Sequence, residues 1–158
     1  MVGRAGLNDL LAAKGMLVRQ KKRKPKTTNS NHRYKRYQNL IKELSIIRPN
    51  QVWVCDITYI TLADKFAYLS LITDAYSKMV VGYNLYSTLE SKGAIKALEM
   101  ALGSCDCSVR QLIHHSDRGI QYCCDDYTNI LSAAKLSISM TQKGDPYKMQ
   151  LQKGLMTF

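Results

Sequence analysis

Two aspartates stand where a carboxylate needs an explanation. Asp56 interrupts Val52-Trp53-Val54-Cys55-Asp56-Ile57-Thr58-Tyr59-Ile60, a run otherwise β-branched, aromatic or apolar that suits a central strand. Burying an unpartnered carboxylate there costs roughly several kcal/mol, so Asp56 lies on a solvated rim or meets a cation. Pairing with one of the chain's many Lys or Arg residues explains it as well as chemistry does, on this run alone. Asp117 ends His114-His115-Ser116-Asp117, just past an apolar stretch, where α/β sheets place their ligands. Two such carboxylates on neighbouring strands repel unless a cation lies between them, and magnesium or manganese prefers these hard oxygen ligands. A pair of such ions activates an attacking water or hydroxyl and steadies the leaving oxygen in phosphodiester chemistry. The plainer alternative is that Asp117 caps a turn in a Ser-Asp-Arg-Gly loop.

The elements that must hold these residues follow from hydrophobic period and turn chemistry. The Asp56 strand is followed by a turn at Ala63-Asp64-Lys65, a second strand over Phe66–Asp74, a turn at Ser77-Lys78 and a third strand over Met79–Tyr86. Thr88 or Ser91 caps a helix running through Leu102, with Ile95, Leu98, Ala101 and Leu102 inward. Val109–His114 reads as a fourth strand, Asp125–Ala134 as a helix with an acidic first turn, and Leu136–Met140 as a fifth strand. Three meandering strands, then alternating helix and strand, predict a mixed α/β domain, an order compatible with the first strand lying beside the fourth.

With 158 residues, 46% of them hydrophobic, the chain can bury one sizeable core. No apolar run reaches membrane-spanning length, and no signal-peptide core is visible at the start. Five cysteines without paired C-x-x-C spacing suit free thiols in a reducing cytoplasm. The formal excess of charge is concentrated. Residues 1–50 hold 13 Lys/Arg against 2 Asp/Glu, whereas residues 51–158 hold 10 of each. A basic arm on a balanced domain is the footprint of nucleic-acid binding, although a merely solubilising tail has the same composition. Gly3–Val18 reads as a short amphipathic helix, the remnant of an N-terminal DNA-binding module over residues 1–18. The linker over residues 19–47 carries Arg19, Lys21, Lys22, Arg23, Lys24 and Lys26, then Arg33, Lys35 and Arg36 interleaved with tyrosines for phosphate contact and stacking. A brief helix is expected within Asn39–Arg48.

These phrases, taken together, resemble the integrase core of bacterial insertion-sequence transposases of the insertion-sequence-three group. The likeness runs through Arg48-Pro49-Asn50-Gln51-Val52-Trp53, Asp56-Ile57-Thr58-Tyr59-Ile60, Leu71–Lys78, Val80–Tyr83, His114–Tyr122 and Lys143–Tyr147, in consistent order. It implies a ribonuclease-H-like mixed sheet flanked by helices over residues 48–147. It also implies a triad of two aspartates and a glutamate that holds two magnesium ions for DNA strand cleavage and joining. Asp56 matches the first acid and Asp117 the second. The third lies thirty-five intervening residues beyond the second in the family, a position that here is Lys153.

An ammonium group supplies no anionic oxygen and repels the metal. The expectation is therefore a transposase core with part of its C-terminal helical region missing and with strand transfer disabled. Its partners would be DNA, at insertion-sequence ends and target, with self-association open to it, in the bacterial cytoplasm and nucleoid. Residues 148–158 read as a frameshifted tail: one choice of codons, shifted by a base, encodes Glu-Asn-Ala-Ile-Ala-Glu-Arg, the family's own phrase. The competing reading is a nucleic-acid-binding relic that sequesters DNA ends or associates with intact transposase. His114 and His115 are taken as structural before catalytic, Trp53 as core, and Tyr59 and Tyr122 as buried with satisfied hydroxyls.

Overall fold

The computed structural model describes residues 12–14, 31–62, 65–105 and 111–142. Among them, five strands form one sheet: β1 (Val52–Thr61), β2 (Phe66–Asp74), β3 (Val80–Tyr86), β4 (Ile113–Ser116) and β5 (Ser137–Met140). The helices are α1 (Ser91–Ser104), a single turn α2 (Ile120–Cys123) and α3 (Asp125–Ala133). Strand order is β3-β2-β1-β4-β5, with β1–β2 and β2–β3 antiparallel and β1–β4 and β4–β5 parallel. The expected mixed sheet with helices is therefore present, and β1 is indeed the neighbour of β4.

Alternation along β1 sorts its residues onto two faces. Trp53, Cys55 and Ile57 join Ile72, Ala97, Leu98, Ala101, Tyr127 and Leu131 in the main core, beneath α1 and α3. The small residues of α1 let it approach β3 closely. A Cβ on Gly82 would run into the Ala97 carbonyl oxygen and lie 2.8 Å from the Ala101 Cβ. On the other face Val52 packs with Ile41 and Ala75, and Leu44, Ile46, Val54 and Ile113 close around them. This second cluster brings the segment preceding β1 onto the sheet.

Several local expectations are corrected. Within Asn39–Arg48 the chain forms turns rather than a helix, because the Asn39 side chain accepts from the Ile41 N–H at 3.0 Å and so competes for the backbone. Glu90, not Thr88 or Ser91, occupies the N-cap of α1, and no side chain caps it. Ile95 and Leu102 are only partly buried on that helix, where Gly93, Ala94 and Ala97 take the inner positions with Leu98 and Ala101. β4 begins at Ile113 and runs on through both histidines to Ser116, later than the apolar stretch suggested. Val109, Arg110 and most of the first hairpin turn lie outside the described residues, as do residues 143–158.

Candidate functional site

Asp56 and Asp117 come to the same level of the sheet. Val52 pairs with Ile113, Trp53 with His114 and Val54 with His115 in the parallel β1–β4 ladder. Two residues beyond Val54 stands Asp56, and two residues beyond His115 stands Asp117. Continued at the same offset past the last paired rung, the register carries Asp56 level with Asp117, which stands one residue beyond the end of β4. Asp56 shares the parity of Val52 and Val54, on the face away from α1 and α3. β4 leaves the sheet after Ser116 while β1 continues to Thr61, so the acids sit where a strand ends beside one that goes on. Each is half-buried.

Local chemistry fixes the second acid. The Gly119 N–H donates to Asp117 Oδ1 at 2.8 Å. A Cβ at Gly119 would lie 2.9 Å from that same oxygen and 2.9 Å from Gln121 Oε1, so a larger residue here would displace the carboxylate. Gln121 is itself buried and donates to the Leu89 carbonyl at 3.1 Å, tying the loop to the start of α1.

The residues around the acids show that they share an environment. Burial holds the Tyr122 hydroxyl well above the tyrosine range, and Cys55, Tyr127, Asp56 and Asp117 push it the same way. One phenol thus lies within electrostatic reach of both carboxylates. Tyr122 is buried as expected, but its hydroxyl has no hydrogen-bond partner among the described residues, which corrects the expectation of a satisfied one. Tyr59 stands half-buried, edge-on to Phe66.

His114 points into the main core, on the opposite face of the sheet from Val54 and His115. His114 Nε2 lies 2.8 Å from Cys55 Sγ and 2.8 Å from Tyr127 Oη. Burial lowers the His114 pKa to about 3, with His115 adding in the same direction, so the ring is neutral. Burial also raises the Cys55 and Tyr127 pKa values, so both groups stay protonated. His115 Nδ1 meets Ser139 Oγ at 2.8 Å. Trp53 is core, with no exposed surface, and its indole N–H donates to Asn50 Oδ1 at 2.9 Å.

A third aspartate, passed over in the sequence, is fully structural. Asp74 ends β2 buried, and its carboxylate accepts from the Asn50 N–H at 3.1 Å, the Ser77 N–H at 3.0 Å and the Ser77 hydroxyl. Its signal was the serine three residues on, an Asx-type turn.

Of the basic residues singled out, Arg33, Lys35 and Arg36 are exposed, between the His32 contact with the Arg118 carbonyl and the Gln38 contact with Met140. Lys35 lies over the Tyr37 ring, 5.1 Å from its centroid. Arg19, Lys21, Lys22, Arg23, Lys24, Lys26 and Lys153 fall outside the described residues. Among those described, no group of three or more His, Cys, Asp or Glu gathers as a metal site, the four cysteines are free thiols, and no helix is long and apolar enough to cross a membrane. A cleft of about 400 Å³ between β3 and the end of α1, lined by Trp53, Asp74, Met79, Val80 and Met100, contains neither acid.

A five-stranded mixed sheet with acids at adjoining β1 and β4 is the plan of ribonuclease-H-like polynucleotidyl transferase cores. The integrase core domain model matches residues 47–146, and the chain belongs to that family. Its likeness within the family is to insertion-sequence-three-group transposases. The 31 kDa protein of insertion element IS600 from Shigella sonnei is 39% identical over 148 residues, covering 93% of this chain and 54% of that one. The transposase of IS629 from Shigella sonnei is 32% identical over 146 residues, covering 92% and 49%. The chain thus spans about half the length of these relatives. The HTLV-2 integrase catalytic core, solved in complex with magnesium, superposes with a TM-score of 0.53 at 17% identity, covering 67% of this chain and 66% of that one, which shows a shared fold.

Proposed function

We propose that this chain acts on insertion-sequence DNA through an integrase-type core, binding DNA ends while lacking full strand-transfer activity. The observation that supports the reading is the parallel β1–β4 register, from whose last paired rung, Val54 with His115, Asp56 and Asp117 each lie two residues on. The donor set fits one divalent ion. Two anionic oxygen ligands at one strand end suit magnesium or manganese, while His114 is engaged with Cys55 and Tyr127 and His115 with Ser139. Asp56 and Asp117 would hold it. When bound, such an ion supplies charge stabilisation at phosphoryl oxygens and lowers the pKa of a water ligand.

The chain's own residues prepare that site. Gly119 fixes the Asp117 carboxylate, and Arg33, Lys35 and Arg36 supply positive charge for the DNA backbone. The third position of the family's triad is Lys153, whose ammonium opposes a second ion. Binding without efficient joining follows, in the cytoplasm beside the nucleoid where such DNA lies, and residues 148–158 are read as a frameshifted replacement of the family's terminal phrase. This chain would then occupy DNA ends or associate with intact transposase copies.

Nicking and joining of a labelled insertion-sequence-end duplex, with magnesium or manganese, tests the reading. Wild-type chain should retard the duplex on a gel yet yield no joined product. Efficient joining that disappears on Asp56→Asn would replace the defective reading with an active enzyme. Absence of any DNA binding would remove the reading altogether.

A further inference from the structure

The two edges of the sheet are finished differently. At β5 the Met140 N–H donates to the Gln38 carbonyl at 3.2 Å, and the Leu40 N–H donates to Ser139 Oγ at 2.9 Å. His32 Nε2, 3.0 Å from the Arg118 carbonyl oxygen, and Ile41, buried with Val52 and Ala75, anchor the two ends of the same stretch. Residues 32–41 are thus a strap that covers the β5 edge. At the opposite edge stands β3, which among the described residues pairs with β2 alone. The outer backbone N–H and C=O groups of such an edge are a template for another strand.

The residues of β3 do nothing to deter that pairing. Val80-Val81-Gly82-Tyr83-Asn84-Leu85-Tyr86 contains no charge and no proline, the devices by which exposed edges are kept apart. Tyr83 and Leu85 are each more than half exposed, and Met79, Val80 and, on α1, Met100 are exposed as well. A strand without a cation is a poor surface for phosphates, so the fitting occupant is another protein edge rather than DNA. From residue 51 onward the chain holds 10 Lys/Arg and 10 Asp/Glu, so two such cores meet without net repulsion. The strand is also complementary to itself. Its ladder with β2 slips at Val81, between the Gly82–Ile72 and Val80–Thr73 pairs, which leaves Gly82–Tyr86 as the regular part. Antiparallel pairing of that part with a second copy places a two-fold axis at its midpoint, Asn84. Tyr83 then lies opposite the partner's Leu85, and Leu85 opposite the partner's Tyr83. These two aromatic–aliphatic cross-strand pairs cover the exposed side chains.

We propose that this chain associates with a second copy of itself through the β3 edge. The two sheets join antiparallel about Asn84 into one of ten strands, with both acid faces on the same side. The inference rests on the association named in the reading above and gives it a surface, and DNA binding plays no part in it.

The test is sedimentation velocity of the full chain without DNA or metal. Wild type should be a dimer. Tyr83→Lys combined with Leu85→Lys sets like charges against one another across the seam and should weaken association at least tenfold. Tyr83→Glu combined with Leu85→Glu should do the same. An equimolar mixture of the two double variants should associate again, which chains that had merely failed to fold would not do. Under mild oxidation, Tyr83→Cys mixed with Leu85→Cys should form a disulfide-linked dimer faster than either variant alone. A monomeric wild type would overturn the inference, whether or not it retards a DNA duplex. A dimer untouched by the lysine pair, or oppositely charged variants that stay apart when mixed, would overturn β3 as the surface. Cross-linking no faster in the cysteine mixture would overturn the pairing about Asn84. A wild type that dimerises through this edge and binds no duplex would support the inference and remove the DNA-binding reading alone.

Discussion

The two faces of the sheet are built on opposite principles. Beneath α1 and α3, Trp53, Cys55, Ile57 and Ile72 meet alanines and leucines, and the polar cluster there joins His114 Nε2 to Cys55 and Tyr127. On the acid face the covering is a thin strap over Ile41, Val52 and Ala75. Beside it runs the row Asp56, Leu71 and Tyr83 across β1, β2 and β3, with Tyr83 55% exposed. Leu69 and Leu85 form the next row, and Leu85 is 54% exposed. One face is organised for stability, the other leaves charge and apolar surface available to something outside the described residues. An open apolar patch of this kind marks an interaction surface or an association liability.

This contrast can be broken by substitution. Gly82→Val drives a branched side chain into the Ala97 backbone and should cost about 3 kcal/mol or more, read by urea unfolding. A cost under about 1 kcal/mol would mean that the α1–β3 contact is not close-packed. Asp74→Asn should cost about 2 kcal/mol, because a buried carboxylate that serves three donors is replaced by an amide that cannot accept as many. This separates Asp74 from the acids of the open face.

The buried imidazole predicts a pH dependence. His114 in the folded chain titrates near 3, against about 6.5 when unfolded. Between those values the unfolded chain binds the extra proton, so stability is fully present above about pH 6.5 and falls as the pH drops toward 3. The slope from this residue approaches about 1.4 kcal/mol per pH unit. His114→Gln should flatten the curve in that window, and an unchanged slope would show that the imidazole is not buried neutral. The smallest effect belongs to the open face: Asp56→Asn relieves a like charge and should leave stability within about 0.5 kcal/mol of wild type, or raise it. A loss comparable to that of Asp74→Asn would make Asp56 structural and erase the distinction between the faces.

Much of this was legible in the residues. The strands over Val52–Ile60 and Phe66–Asp74 carry the β-branched and aromatic composition that a central strand needs, and both formed nearly as read. Asp56 stood out because a carboxylate is costly in such company, and Asp117 because it follows a strand. What could not be read depends on partners distant in sequence. His114 and His115 look like loop residues until Cys55, Tyr127 and Ser139 are brought to them, so β4 was begun too early. The strap was read as a linker because its anchors lie at Arg118, Ser139 and Met140, far along the chain. Tyr122 was expected to satisfy its hydroxyl, a matter of side-chain geometry that no local pattern encodes.

The pairing of Asp56 with Asp117 is tested most directly by manganese binding to the full chain, followed by the loss of the free-ion electron paramagnetic resonance signal. Wild type should bind the ion, and Asp56→Asn and Asp117→Asn should each weaken binding at least tenfold, with the double variant no worse than either single one. Undiminished binding in either single variant, or losses that simply add, would show that the two carboxylates do not hold one ion between them.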